Sequence, residues 1–103
     1  MIKKAFRMKV YPDQHAEYEK RHKELWPEMR QMLKEHGVKS YSIFLDKETS
    51  VLFAYAEIES EELWNQIAMT DINQKWWEFM ESVMETNLDK SPISQVLKQV
   101  FDL

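Results

Sequence analysis

Tyr18, His22 and Trp26 recur at four-residue intervals, and residues four apart share one face of a helix. A phenol, an imidazole and an indole then stand in a row. Imidazole is the one side chain here that both gives and takes a proton near neutral pH. Pro27 follows directly; it has no N–H for the carbonyl of Lys23, and its ring crowds that carbonyl. Trp26, the residue before it, is pushed out of helical angles. The helix should therefore bend or end just after His22 and restart with Pro27 in its first turn, opening space beside the imidazole. The same spacing also suits an ordinary amphipathic core, with His22 a satisfied histidine at its edge.

Trp76 and Trp77 form a second group with chemical potential. On a helix they point about 100° apart, so one core stripe cannot hold both. Trp76 continues the stripe of Ile72, Met80 and Val83 and should face inward. Trp77 is lateral, and an indole at the edge of a core commonly packs at a ligand site or an interface. Sugars suit such a place, because their C–H faces stack on indole while their hydroxyls need a polar rim. A dimer contact or a plain core edge suits it too. Tyr41, near the head of a strand, could bring a phenol to the same place.

The elements that must carry these groups follow from the patterning. Ile2 to Tyr11 alternates, with Ile2, Phe6, Met8 and Val10 opposite Lys3, Ala5, Arg7 and Lys9, as a half-buried strand does. Asp13 is the expected N-cap of a helical region from Gln14 to about His36, broken near Trp26-Pro27 and closed by Gly37. His36, in its last turn, is most simply a charge at the negative end of the helix. Val38 to Asp46 and Val51 to Glu59 read as strands joined by a polar turn of hairpin length. Ser60 and Thr70 read as N-caps of two further helical segments, with Glu61 and Glu62 in the first turn of the earlier one. A loop from Asn87 to Pro92 precedes a last strand from Ile93 to Phe101. Strand, helix, strand, strand, helix, strand is the ferredoxin-like βαββαβ order. It predicts an α+β fold, with a four-stranded antiparallel sheet and helices on one face. The other face, with Ala5, Val51, Phe53 and Tyr55, is not a water-facing set. Its simplest cover is a second copy, as in dimeric α/β barrels.

Composition narrows the function. A chain of 103 residues, 44% hydrophobic and 13% aromatic, builds one domain. The net charge of −4 speaks against nucleic acid or an anionic membrane as the partner. No apolar run approaches the roughly 20 residues of a membrane span, and Arg7 and Lys9 interrupt any signal-peptide core. Without cysteine there is no thiol catalysis or disulfide, and the cytoplasm is the default compartment. One glycine cannot make a glycine-rich phosphate loop. His15, His22 and His36 form no good metal-ligand cluster.

Several of these pieces, in this order and spacing, resemble the L-rhamnose mutarotase family. They are Tyr18-x-x-Arg21-His22-x-x-x-Trp26-Pro27, Tyr41, Leu45-Asp46-Lys47, Glu57-Ile58-Glu59-Ser60-Glu61-Glu62-x-Trp64-Asn65 and Trp76-Trp77. The resemblance runs from Met1-Ile2-Lys3-Lys4-Ala5-Phe6 to Val100-Phe101. It implies a homodimer of ferredoxin-like subunits that interconverts the α and β anomers of L-rhamnose without a cofactor. It also implies that His22 is the proton donor and that Tyr18, Tyr41, Trp76 and Trp77 contact the sugar. The chemistry agrees with the residue types. Ring opening and closure are proton transfers, served by one or two groups that titrate near neutrality. Two other classes share the pattern: a cofactor-free or haem-dependent oxidase or monooxygenase on the same fold, and a non-catalytic domain binding a small ligand through Trp77.

Overall fold

A computed structural model describes residues Met1–Leu103. β1 (Ile2–Lys9) pairs antiparallel with β3 (Val51–Ile58) along its whole length, Ile2 opposite Ile58 and Lys9 opposite Val51. β2 (Val38–Asp46) pairs antiparallel with β3 on its other edge. The short β4 (Gln95–Val96) lies along β1, giving the strand order β2-β3-β1-β4. The expected antiparallel four-stranded sheet is therefore formed.

Alternation decides which face of the sheet is dry. Leu52, Ala54, Ala56 and Ile58 of β3 are buried, as are Met8 and Val10 at the end of β1. They share one apolar cluster with Tyr18, Met29, Met32, Ile67, Trp76 and Met80 from the helices. On the opposite face Phe44 and Phe53 stand directly across from each other, 66% and 40% exposed.

The chain between β1 and β2 makes two helices, α1 (His15–Lys23) and α2 (Pro27–Glu35). The break falls where the proline dictates: Trp26 has φ −58° and ψ 135°, an extended conformation, and Pro27 opens α2. At the far end Gly37 has φ +79°, the left-handed turn that lets the chain leave α2 and enter β2. Between β3 and β4 lie α3 (Glu61–Ile67) and α4 (Asp71–Met80). Ser60 Oγ accepts the Leu63 N–H at 3.2 Å, and Thr70 Oγ1 accepts the Asn73 N–H at 3.3 Å, so both expected caps are in place.

Three details depart from the sequence reading. Gln14, not Asp13, occupies the N-cap of α1, and its side chain makes no capping bond. Asp13 lies in a turn one residue too early. The last strand is two residues long, not nine. Only Phe6–Val96 and Arg7–Gln95 pair, because after the Leu97 N–H reaches Ala5 O at 2.9 Å the chain leaves the ladder. Val96, Val100, Phe101 and Leu103 then stay exposed. Finally, β2 carries a register shift between Val38 and Ser40.

Candidate active site

α1 sets the imidazole. Tyr18 and His22 stack with ring centroids 4.3 Å apart and planes 31° from parallel. His22 Nδ1 lies 3.1 Å from the carbonyl oxygen of Tyr18. A carbonyl only accepts, so in the neutral ring Nδ1 carries the hydrogen and Nε2 keeps its lone pair. Arg21 secures this helix to the end of α4. Its Nε donates to Glu17 Oε2 at 2.8 Å, its Nη1 donates to the Phe79 carbonyl, and the guanidinium lies 4.2 Å over the Phe79 ring.

α4 sets the indoles. Thr70 Oγ1 caps this helix and also donates to Ile67 O at 2.8 Å, so one hydroxyl ties the end of α3 to the start of α4. Trp76 is 7% exposed and stands edge-on to His22, centroids 5.4 Å apart at 90°. Trp26, held extended before Pro27, meets Trp76 edge-on at 5.1 Å from behind, and Phe79 closes the group. Trp77 is half-buried at the side of the core, as the 100° offset requires.

β2 sets the second phenol. The register shift brings Val38 opposite Ile58 and Tyr41 opposite Ala56, both buried-face residues of β3. Val38 and Tyr41 are three apart and would face opposite ways in a regular strand; the bulge turns both toward the helices. There Tyr41 meets Phe6 edge-on at 6.3 Å and Trp64 at 6.0 Å, and Phe6 and Trp64 pack at 6.2 Å.

One cavity of about 1500 Å³ collects these groups, and Tyr18, His22, Tyr41, Trp76 and Trp77 all line it. Phe6, Trp64 and Asn73 line it as well. Phe6 and Trp64 read in the sequence as strand and helix core. Their meeting across 58 positions is a long-range contact that no local period signals. Arg21 was visible in the sequence as part of a motif, without a role.

Burial governs the electrostatics. It pushes the His22 pKa below its ordinary 6.5, and the bond to the Tyr18 carbonyl partly opposes that fall. Imidazole is thus the neutral base at pH 7. Burial raises the Tyr18 phenol far above its usual range, and a charge on nearby Tyr41 would raise it further. Tyr41 keeps 38% of its surface, yet desolvation raises its phenol as well. Both hydroxyls remain protonated donors at neutral pH. The other two histidines hold other partners, although His15 also lines the cavity. His15 Nε2 lies 2.8 Å from Ser50 Oγ in the β2–β3 turn, and His36 Nδ1 donates to Met32 O at 2.8 Å at the end of α2. No three histidines and carboxylates stand close enough to hold a metal ion.

Comparison with known proteins gives the same picture over the whole chain. Residues 3–103 match the family model described as L-rhamnose mutarotase. The chain is similar to the L-rhamnose mutarotase of Enterococcus faecalis, 68% identical over 103 residues and covering 100% of both chains. It is similar to the crystal structure of an L-rhamnose mutarotase from Formosa agariphila, with TM-score 0.92, 42% identity and coverage of 100% of this chain and 99% of that one. A dimeric ferredoxin-like protein from an uncultured marine organism matches 98% of this chain and 95% of its own, with TM-score 0.66 and 13% identity, a likeness of fold alone.

Proposed function

The chain belongs to the L-rhamnose mutarotase family, and from that premise we propose that His22 moves the proton when the α and β anomers of L-rhamnose interconvert in this cavity. One observation carries the reading: the Tyr18 carbonyl holds Nδ1–H, which leaves Nε2 as a lone pair on an imidazole that burial keeps neutral. Nε2 takes the proton of the anomeric hydroxyl. That O–H electron pair becomes the C1=O bond, the C1–O5 bond breaks, and O5 takes the proton back from the imidazolium. The C1–C2 bond rotates, O5 adds to the other face of the carbonyl as its proton passes to Nε2, and O1 takes that proton from the imidazolium. No atom is gained or lost, and an imidazole that takes a proton in one step can return it in the next.

The remaining cavity groups position the sugar. The protonated hydroxyls of Tyr18 and Tyr41 donate to its oxygens, and the indoles of Trp76 and Trp77 take its C–H face. We place the reaction in the cytoplasm; no helix is long and apolar enough to cross a membrane. A second copy covers the sheet face that bears Phe44 and Phe53, which makes the working form a homodimer. Saturation-transfer NMR between the α and β anomers of L-rhamnose tests the reading. Protein should speed the exchange, and His22→Ala should remove most of that gain. A folded His22→Ala that exchanges anomers at the wild-type rate would rule histidine out.

A further inference from the structure

Asn73 lies on α4 one turn before Trp76 and Trp77, at positions i, i+3 and i+4 of one helix face. It is only 4% exposed, and it is among the residues that line the same cavity as His22. Its backbone N–H is satisfied by Thr70 Oγ1. Its side-chain Nδ2 is not: it is the one buried side-chain polar atom of the chain without a hydrogen-bond partner. Buried amide donors are nearly always paired, and leaving one unpaired disfavours the folded state. Leucine or methionine would fill the same place in the stripe without that cost. Nδ2 keeps less than 1 Å² of accessible surface, so the amide must turn about its Cβ–Cγ bond to reach a partner in the molecule the cavity admits. A pyranose presents hydroxyl oxygens around its rim, while the indoles beside Asn73 take its apolar face.

We propose that Asn73 is a sugar-binding residue whose side-chain amide donates to a hydroxyl oxygen of the substrate. This rests on the reading of the cavity as the L-rhamnose site. Asn73 has no part in the proton transfers, because an amide neither gives nor takes a proton near neutral pH. Its contribution is to affinity and to discrimination. A site built to hydrogen-bond a hydroxyl rejects analogues that lack it, because its own polar group is then left unpaired. Thr70 is the positioning residue behind it, since the hydroxyl that caps α4 holds the Asn73 backbone.

The test uses Asn73→Leu, which removes the amide, and the near-isosteric Asn73→Asp, which removes the donor. Three readouts are melting temperature, L-rhamnose binding by tryptophan fluorescence, and anomer exchange by NMR. Asn73→Leu should melt at or above the wild-type temperature and bind L-rhamnose about tenfold more weakly, with the exchange rate of the saturated enzyme little changed. Asn73→Asp should weaken binding in the same direction. One monodeoxy analogue of L-rhamnose should bind wild type and Asn73→Leu equally, which identifies the hydroxyl. Unchanged binding in both variants overturns the proposal. So does a lower melting temperature for Asn73→Leu with normal binding, the signature of an amide satisfied by internal water. Because binding is read directly, failure of the wild type to exchange anomers would count against the catalytic reading alone.

Discussion

The two faces of the sheet use aromatic residues in opposite ways. On the helix face, Phe6 and Tyr41 meet Trp64 of α3, and the rings of α1 and α4 and of Trp26 meet one another around His22 at centroid distances of 4.3 to 5.7 Å. On the other face, Phe44 and Phe53 face each other across β2 and β3 and stay 66% and 40% exposed. Strand alternation supplies both faces alike; only one receives helices. Aromatics under a cover of helices can enclose a cavity and shift the pKa of an imidazole. Bare aromatics can only recruit a cover from outside. The cavity is therefore a product of the layer, and the bare face a product of its absence.

The sharpest break in this contrast is His22→Ala, which should lower the catalysed exchange rate on the order of 10²-fold or more with an unchanged circular dichroism spectrum. The matching break on the bare face is the pair Phe44→Asp with Phe53→Asp, which sets like charges directly opposite each other. Light scattering should show the mass fall from two chains to one, with helical content retained. A wild-type chain that is already monomeric at micromolar concentration would remove the partner from the account. Trp76→Ala and Trp77→Ala come next. Trp76 is deeply buried and should cost about 3–5 kcal/mol of stability by thermal melting, whereas half-buried Trp77 should cost less and weaken L-rhamnose binding more than its stability loss predicts. If Trp77→Ala binds sugar normally but loses the dimer, that indole belongs to the interface.

Acidity sharpens the helix-face half of the comparison. Burial lowers the His22 pKa, so the proton-accepting form is fully present at neutral pH and is lost as the pH falls through a value below 6.5. The exchange rate should rise with pH through that value and then level off. A rate that instead falls on raising the pH through it would make imidazolium the resting catalyst. The smallest expected effect is Thr70→Ala, which removes the cap of α4 and should cost about 1 kcal/mol by denaturant titration.

Much of this arrangement was legible in the sequence, for local reasons. Trp26-Pro27 fixes the break between α1 and α2, Ser60 and Thr70 fix two helix starts, and the 100° step separates inward Trp76 from lateral Trp77. The parts that were not legible depend on partners far along the chain. Nothing local to Ile93–Phe101 says that the ladder ends after Val96, since an apolar run reads the same whether or not a neighbouring strand continues beside it. Phe6 and Trp64 look like core until Tyr41 arrives beside them. The amide of Asn73 looks like a routine polar position until the surrounding stripe is seen to close over it.

The register shift between Val38 and Ser40 has a consequence for how such a site can change. It acts as a phase shifter within one strand. Upstream of it, the alternation is locked to the core through Val38; downstream, a separate alternation presents Tyr41, Ile43 and Leu45 to the cavity side of the sheet. The two halves of β2 can thus vary under different demands, one for packing and one for lining the cavity. Deleting Lys39 would merge the phases and force a choice: keep Val38 buried and turn Tyr41 away from Phe6 and Trp64, or keep Tyr41 and expel Val38 from the core.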